Sequence, residues 1–335
     1  MKNIIGATLV TASMATAQAQ GLDHSQMAGH QHGEIPIGVM GGHTHNDGGA
    51  MFSYRYMSMH MDGNRDGTDR LSDREVLADY MVTPTSMDMD MHMFGAMYAL
   101  NDKLTVMAML PYVSKSMNHL TRMGRKFTTT AEGLGDIKLS GLYKINTSND
   151  NKLHLNIGLS FPTGSIDERD DTPAANNAKL PYPMQLGSGT YDLMPGITYS
   201  GQSETYSWGT QALATIRLGE NDNDYTLGNM VEVSGWLQRK WSSSFSTSVR
   251  LNVKSWSDID GADPDLNPAM IATADPELRA GKRADLLLGA IYHPHHGSLK
   301  GHRLALEVGK PVYQKLDGPQ LETDLILTAG WQYAF

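Results

Sequence analysis

Apolar and polar positions alternate along most of this chain, most sharply in the last fourteen residues, ETDLILTAGWQYAF. Thr323, Leu325, Leu327, Ala329, Trp331, Tyr333 and Phe335 share one parity, and Asp324, Ile326, Thr328, Gly330, Gln332 and Ala334 the other. A period of two puts successive side chains on opposite sides of a strand. The apolar face ends in three aromatics, as a lipid-facing strand with an interfacial girdle would. The alternative is the final strand of a soluble sandwich, which has little use for such a girdle.

The same alternation predicts eleven earlier strands, over 50–61, 86–100, 103–114, 135–145, 152–161, 190–200, 205–218, 227–239, 243–256, 283–293 and 302–309. Their connections alternate between short, turn-rich links and long ones. Short periplasmic turns and longer outer loops are what an outer-membrane barrel displays. The predicted fold is therefore all-β: a transmembrane antiparallel β-barrel of about 12 strands in an up-and-down meander, spanning 50–335. Neighbouring strands that close on themselves leave no exposed edge.

Polarity assigns the faces. Arg55 in lipid would cost about 2–4 kcal/mol at the midplane, so Phe52, Tyr54 and Tyr56 point outward. Met57 and Met59 then share the luminal face with Arg55, and Met107 and Met109 share one with Thr105. On 86–100 the same reasoning directs Asp88 and Asp90 to the lumen, which predicts Met87, Met89, Met91, Met93 and Met97 against lipid as flexible wall filler.

Composition sharpens this picture at three points. No cysteine means no disulfide and no thiolate metal site, and a net charge of −9 argues against nucleic acid as a partner. Lys2, the apolar run from Ile4 to Val10 and Ala17-Gln18-Ala19 read as a secretory signal peptide, 1–19, cut after Ala19. Residues 20–49 are polar, Gly-rich and aperiodic, which suggests a mobile arm or plug on the periplasmic side. The expected location is the outer membrane, with lipid and a small solute or metal ion as partners and the oligomeric state open.

The 22 methionines and 13 histidines crowd towards the N-terminal third. Thioether and imidazole ligands suit Cu(I), and imidazole with carboxylate suits Cu(II) or zinc. Candidate ligands are His24, Met27, His30, His32, His43 and His45 in the arm, with Met57, Met59, Met107 and Met109 further in; copper is the expected metal, and no other cofactor is indicated. Copper capture by neutral imidazole should weaken as pH falls through about 6. The competing reading is a polar tail with incidental histidines. His293, His295 and His296 form a second cluster with His302 nearby, and the acidic stretches 167–171 and 258–265 read either as cation sites or as solvated loops. Catalysis finds little support. His154 and Ser160 are six residues apart on one strand face, roughly 20 Å by strand rise, too far for a lipid hydrolase.

The terminal Phe335 resembles the C-terminal signature of bacterial outer-membrane barrels. Pro36 to Thr68, Met89 to Tyr112 and Glu132 to Lys144 resemble a family of outer-membrane proteins related to those of the meta-pathway of phenol degradation, described as transporters. That resemblance implies a barrel and a transport role, with no substrate and no functional residues attached; its Met- and His-rich members are associated with copper handling. The expected function is an outer-membrane channel for a small solute, linked to copper. Its rival is a metal-sequestering barrel without flux.

Overall fold

The computed structural model describes residues 35–147 and 150–335. Eleven strands form one antiparallel ring: β1 (Ala50–Gly67), β2 (Val82–Ala99), β3 (Leu104–Thr121), β4 (Ile137–Thr147), β5 (Asn151–Phe161), β6 (Tyr191–Gln202), β7 (Tyr206–Leu218), β8 (Met230–Lys240), β9 (Phe245–Trp256), β10 (Gly281–Tyr292) and β11 (His302–Ala334). Each pairs with its sequence neighbours, and β11 also pairs with β1. Two further strands attach to this ring. Asp69–Leu71 folds back on the end of β1, and Lys126–Leu134 pairs with the upper half of β3 just before β4 takes the lower half.

An odd antiparallel ring cannot close. Ten alternating strands leave β10 antiparallel to β1, so no straight strand can run antiparallel to both. The 33-residue β11 resolves this by reversing direction. Its first half pairs with β10 from Leu304 to Leu316, and its second half pairs with β1 from Leu316 to Ala334. The halves meet as a hairpin: Ala334 N–H donates to the Gly301 carbonyl at 3.1 Å. Nearer the turn, the Gln314 carboxamide bonds both the N–H and the carbonyl of Thr323, each at 2.9 Å. The chain therefore crosses twelve times.

Exposure follows the alternation inside out. Outward positions are apolar and open, among them Leu139, Ile157, Val249, Leu251 and Leu288. Inward positions such as Asn156, Thr198, Gln211, Ser234, Gln238 and Asn252 are polar and buried. Exposed aromatics gather near both ends of the outer band, with Tyr98, Tyr143, Trp208, Phe245 and Phe335 at the short-turn end and Tyr112, Tyr191 and Tyr313 at the other. No helix among the described residues is long and apolar enough to cross a membrane.

Several strands outrun their predicted lengths. β1 continues to Gly67, β2 begins at Val82 and β3 continues to Thr121, so much of the predicted loops 62–85 and 115–134 is strand. The extensions carry polar outward residues and rise beyond the apolar band. They also overturn the assignment of faces on β2. Asp88 and Asp90 point outward, where the His60 ring and the Tyr56 hydroxyl meet them at 2.6 Å each, and the Tyr54 hydroxyl lies 2.7 Å from His92. Met87, Met93 and Met97 are buried, at 3 %, 5 % and 5 % exposure. These methionines are luminal and not wall filler against lipid. Cross-strand partners on the outer face removed the penalty on which the opposite expectation rested. In β11, the pairing with β1 skips Asp324, since His60 faces Leu325 and Met61 faces Thr323. This bulge turns Thr323 inward, against the strict alternation predicted for the last strand.

The outer band has a depth that can be measured. Val249 lies mid-band on β9 and Ser255 near its edge. Val249→Arg is expected to cost about 2–4 kcal/mol on refolding into lipid and Ser255→Arg about 0–1 kcal/mol. Denaturant titration of the two variants in vesicles gives the difference, and equal costs would mean that the band is wrongly placed.

Candidate functional site

The lumen is the site, and its floor is residues 35–49. Ile35, Ile37 and Val39 alternate with smaller or less buried neighbours and give the segment an apolar edge. Ile35 and Val39 pack with Trp236 of β8, and Ile37 with Ile291 and Ala305. The barrel wall holds the floor by its backbone. Arg303 donates to the Ile35 carbonyl, Arg55 to that of Ile37 at 3.2 Å, and Gln211 to that of Met40 at 2.9 Å. His154 and Asn156 both reach the Gly41 carbonyl, at 2.9 and 3.1 Å, and Lys144 reaches that of His45 at 2.7 Å. Five carbonyls are thus satisfied by side chains of the wall, at about 0.5–1.5 kcal/mol net for a typical bond and more where the donor is charged. Gly38 sits on the Arg250–Glu307 ion pair so closely that a Cβ there would lie 2.2 Å from the guanidinium and 2.5 Å from the carboxylate. Only glycine fits.

Above the floor the wall is polar on β5 to β11. Arg250 pairs with Glu307, Arg217 with Asp192, Arg283 with Asp285 at 2.9 Å and Lys254 with Glu232 at 3.4 Å. Pairing offsets the desolvation that a buried charge would otherwise suffer, and losing one partner would strand the other. The opposite wall, β1 to β3, carries thioethers. Met51, Met93, Met97, Met107 and Met109 form one buried cluster with Met40, Met57 and Met91 against it; Met87, Met117 and Met184 form a second with Met61.

The long-loop end is roofed. Lys115 Nζ reaches inward from β3 to the carbonyls of Pro183 and Gln185, at 2.8 and 2.5 Å. Tyr182, Tyr225 and Ile259, from three different loops, pack together. The acidic stretches serve this roof. Lys179 bridges Asp167 and Asp263 at 2.6 and 3.1 Å, and Arg169 meets Asp265 at 2.7 Å, so these carboxylates are loop staples.

The predicted metal residues divide. His24, Met27, His30 and His32 lie outside the described residues, as does the expected signal peptide. His43 and His45 stand edge to face at 5.1 Å between ring centres. Met57, Met107 and Met109 meet in the lower thioether cluster. Met59 is separate, its sulfur 3.7 Å from Arg283 and 3.6 Å from the Thr323 hydroxyl. Among the described residues, no group of three or more His, Asp and Glu side chains is arranged to hold a metal. His293 and His295 lie tilted against each other at 4.6 Å between ring centres, while His302 packs on Trp331 and Tyr333. The alternating pattern gave no sign that Gln211 and Lys144 hold the floor. It missed Trp236 and Arg303, although the i, i+2 pattern of Ile35, Ile37 and Val39 already marked a segment needing an apolar seat.

No protein-family model matches this chain, and no curated protein matches it either, so the resemblance to the meta-pathway family remains an expectation. Solved structures do resemble it. The COG4313 outer membrane channel from Pseudomonas putida F1 superposes with a TM-score of 0.61 at 14 % identity, covering 90 % of this chain and all of that one. The transport unit of the autotransporter AIDA-I from Escherichia coli does so with a TM-score of 0.51 at 11 % identity, covering 89 % of this chain and 94 % of that one. At these identities the likeness is one of fold. The fold is that of Gram-negative outer-membrane β-barrels.

The floor carries its own titratable group. His45 lies outside every strand, its backbone N–H donating to the Thr105 hydroxyl at 3.0 Å. Burial, and then the Lys144 charge, push its imidazole down to about 4. A released floor would regain an ordinary histidine near 6.5. Protonation therefore favours release: seating is full above about pH 6.5 and weakens as pH falls towards 4, by up to about 3 kcal/mol. The protection factor of the His45 amide should fall between pH 7 and 5, and His45→Gln should abolish that fall.

Proposed function

We propose that this barrel is an outer-membrane channel for small solutes, held closed by its own residues 35–49. The carrying observation is the way that segment is bound, through main-chain carbonyls gripped by Arg303, Arg55, Gln211, His154, Asn156 and Lys144. Such bonds are worth little individually and can be exchanged for water one at a time, which suits a stopper that must come out. The fold likeness to an outer membrane channel supports the same reading. In this reading the short-turn end, where the floor sits, faces the periplasm, and a leader, 1–19, has been removed.

The solute class follows from the walls. Paired ions and amides line one side and thioethers the other, so a permeant can exchange water for polar contacts on one flank and soft contacts on the other. The copper link belongs to this reading: His24, Met27, His30, His32, His43 and His45 would gather the metal, and Met57, Met59, Met107 and Met109 would receive it. A metal-sequestering barrel without flux is the second reading, favoured by a lumen closed at both ends. Hydrolysis is no part of either, because His154 donates its Nε2 hydrogen to the Gly41 carbonyl and thereby serves the floor.

Planar-bilayer conductance separates the two. The wild type in potassium chloride should pass little current, and a form lacking 35–49 should pass several-fold more. Gly38→Val should raise conductance in the same direction, because its side chain collides with Arg250 and Glu307. Equally low currents in all three would sink the channel and leave sequestration.

A further inference from the structure

Every methionine carried by a ring strand faces inward. On the outer faces of the same strands the apolar residues are Leu, Val, Ile, Ala, Phe and Tyr. A residue chosen only to fill space would appear on both faces, since lipid tolerates a thioether as readily as a core does. The segregation is densest on β1 to β3, where strand pairing sorts the side chains into rows. Near the roof, Met61 faces Met87 and Met87 faces Met117, and Met184 of the roof packs into the same cluster. Near the floor, Met51 faces Met97 and Met97 faces Met107, and Met40 of the floor packs against that cluster. Each end of the wall thus gathers three thioethers from three strands, and a fourth from the segment that closes that end.

We propose that these two rows are binding sites for soft monovalent cations, Cu(I) and Ag(I). The claim deepens the channel reading by naming a permeant class, but binding at the rows does not require that the channel conduct. The chemistry is selective. Thioether sulfur is a soft, neutral donor that favours d10 monovalent ions and ignores sodium, potassium and magnesium. Directly opposed side chains on paired strands have Cβ atoms about 4.5–5.5 Å apart. Three rotatable bonds per methionine then let the sulfurs close on one ion.

Between the end rows, Met59 faces Met89 and Met57 faces Met91, with two-residue steps of about 7 Å along the strand. The next row holds Met93 beside Arg55, and the one after it holds Met109 beside Ser53 and Gly95. Thioethers are thinnest where the buried Arg55 stands, and its guanidinium is tied to the floor through the Ile37 carbonyl. A cation at the upper row is separated from the lower row by that fixed positive charge while the floor is seated. Two sites, each completed by its own closing segment, are the form this wall takes.

The test uses the full mature chain refolded in detergent and titrated with silver nitrate, Ag(I) being the redox-stable probe. Calorimetry gives stoichiometry and affinity, and X-ray absorption at the silver edge identifies the donor atoms. The expected result is two tight equivalents in a sulfur-only shell. Met87→Leu with Met117→Leu should remove one equivalent, and Met97→Leu with Met107→Leu the other, each site weakening by at least about tenfold. Leucine keeps the volume within what a core tolerates, and heat-modifiable migration on a gel verifies that each variant is folded. If both folded variants bind silver as the wild type does, or the shell is nitrogen and oxygen, the proposal is overturned and the arm histidines hold the ion. Potassium current through the form lacking 35–49 reports on the channel reading alone, so the two can fail separately.

Discussion

Ala50 and Phe335 exchange two backbone hydrogen bonds of 3.0 Å, N–H to carbonyl in both directions. This pair closes the sheet. In lipid an unpaired strand edge has no water to turn to, and each unsatisfied group there costs several kcal/mol. Everything else depends on that closure. It fixes the parity of the ring and therefore the fold-back of β11. It divides side chains into those that face outward and those that meet one another, and it creates the enclosed space in which buried ion pairs, a floor and a thioether wall can exist.

Much of this was legible in the chain. Alternation gave strand positions, loop lengths gave the meander, and the terminal aromatics pointed to the barrel class. The face of β2 was not legible, for a physical reason. Period two separates two faces but does not label them, and the label came from Asp88 and Asp90, which were expected to avoid lipid. Strands longer than the apolar band escape that rule, because their upper outward positions bond across strands instead. His60, Tyr56 and Tyr54 supply those bonds, and no local pattern announced them. The bulge at Asp324 was invisible for a similar reason: it is a property of the pairing with β1 and not of β11 alone.

The candidate site was half legible. Met57, Met107 and Met109 were placed in the lumen correctly because Arg55 and Thr105 vouched for their faces. The richer strand, β2, was discounted by the same argument. The floor is a tertiary feature, since residues 35–49 have no regular structure and acquire a path only from donors scattered over five strands. The polar wall and the soft wall also differ in what fixes them. On the polar wall each charge has a named partner, and geometry is specified pair by pair. On the thioether wall contacts are unspecific, so the same residues can rearrange around whatever lies between them.

The grip on the floor has a consequence for inheritance. Because the wall holds main-chain carbonyls, it constrains the segment's side chains mainly through the apolar edge of Ile35, Ile37 and Val39. The floor is free to drift in sequence outside that edge and away from the glycine beside Arg250 and Glu307. Arg55, Gln211, Asn156, Lys144 and Arg303 have no such freedom. Among descendants of this protein the lock should therefore be preserved better than the key, and a stopper of different sequence but the same apolar edge could be fitted to the same barrel without altering a single strand.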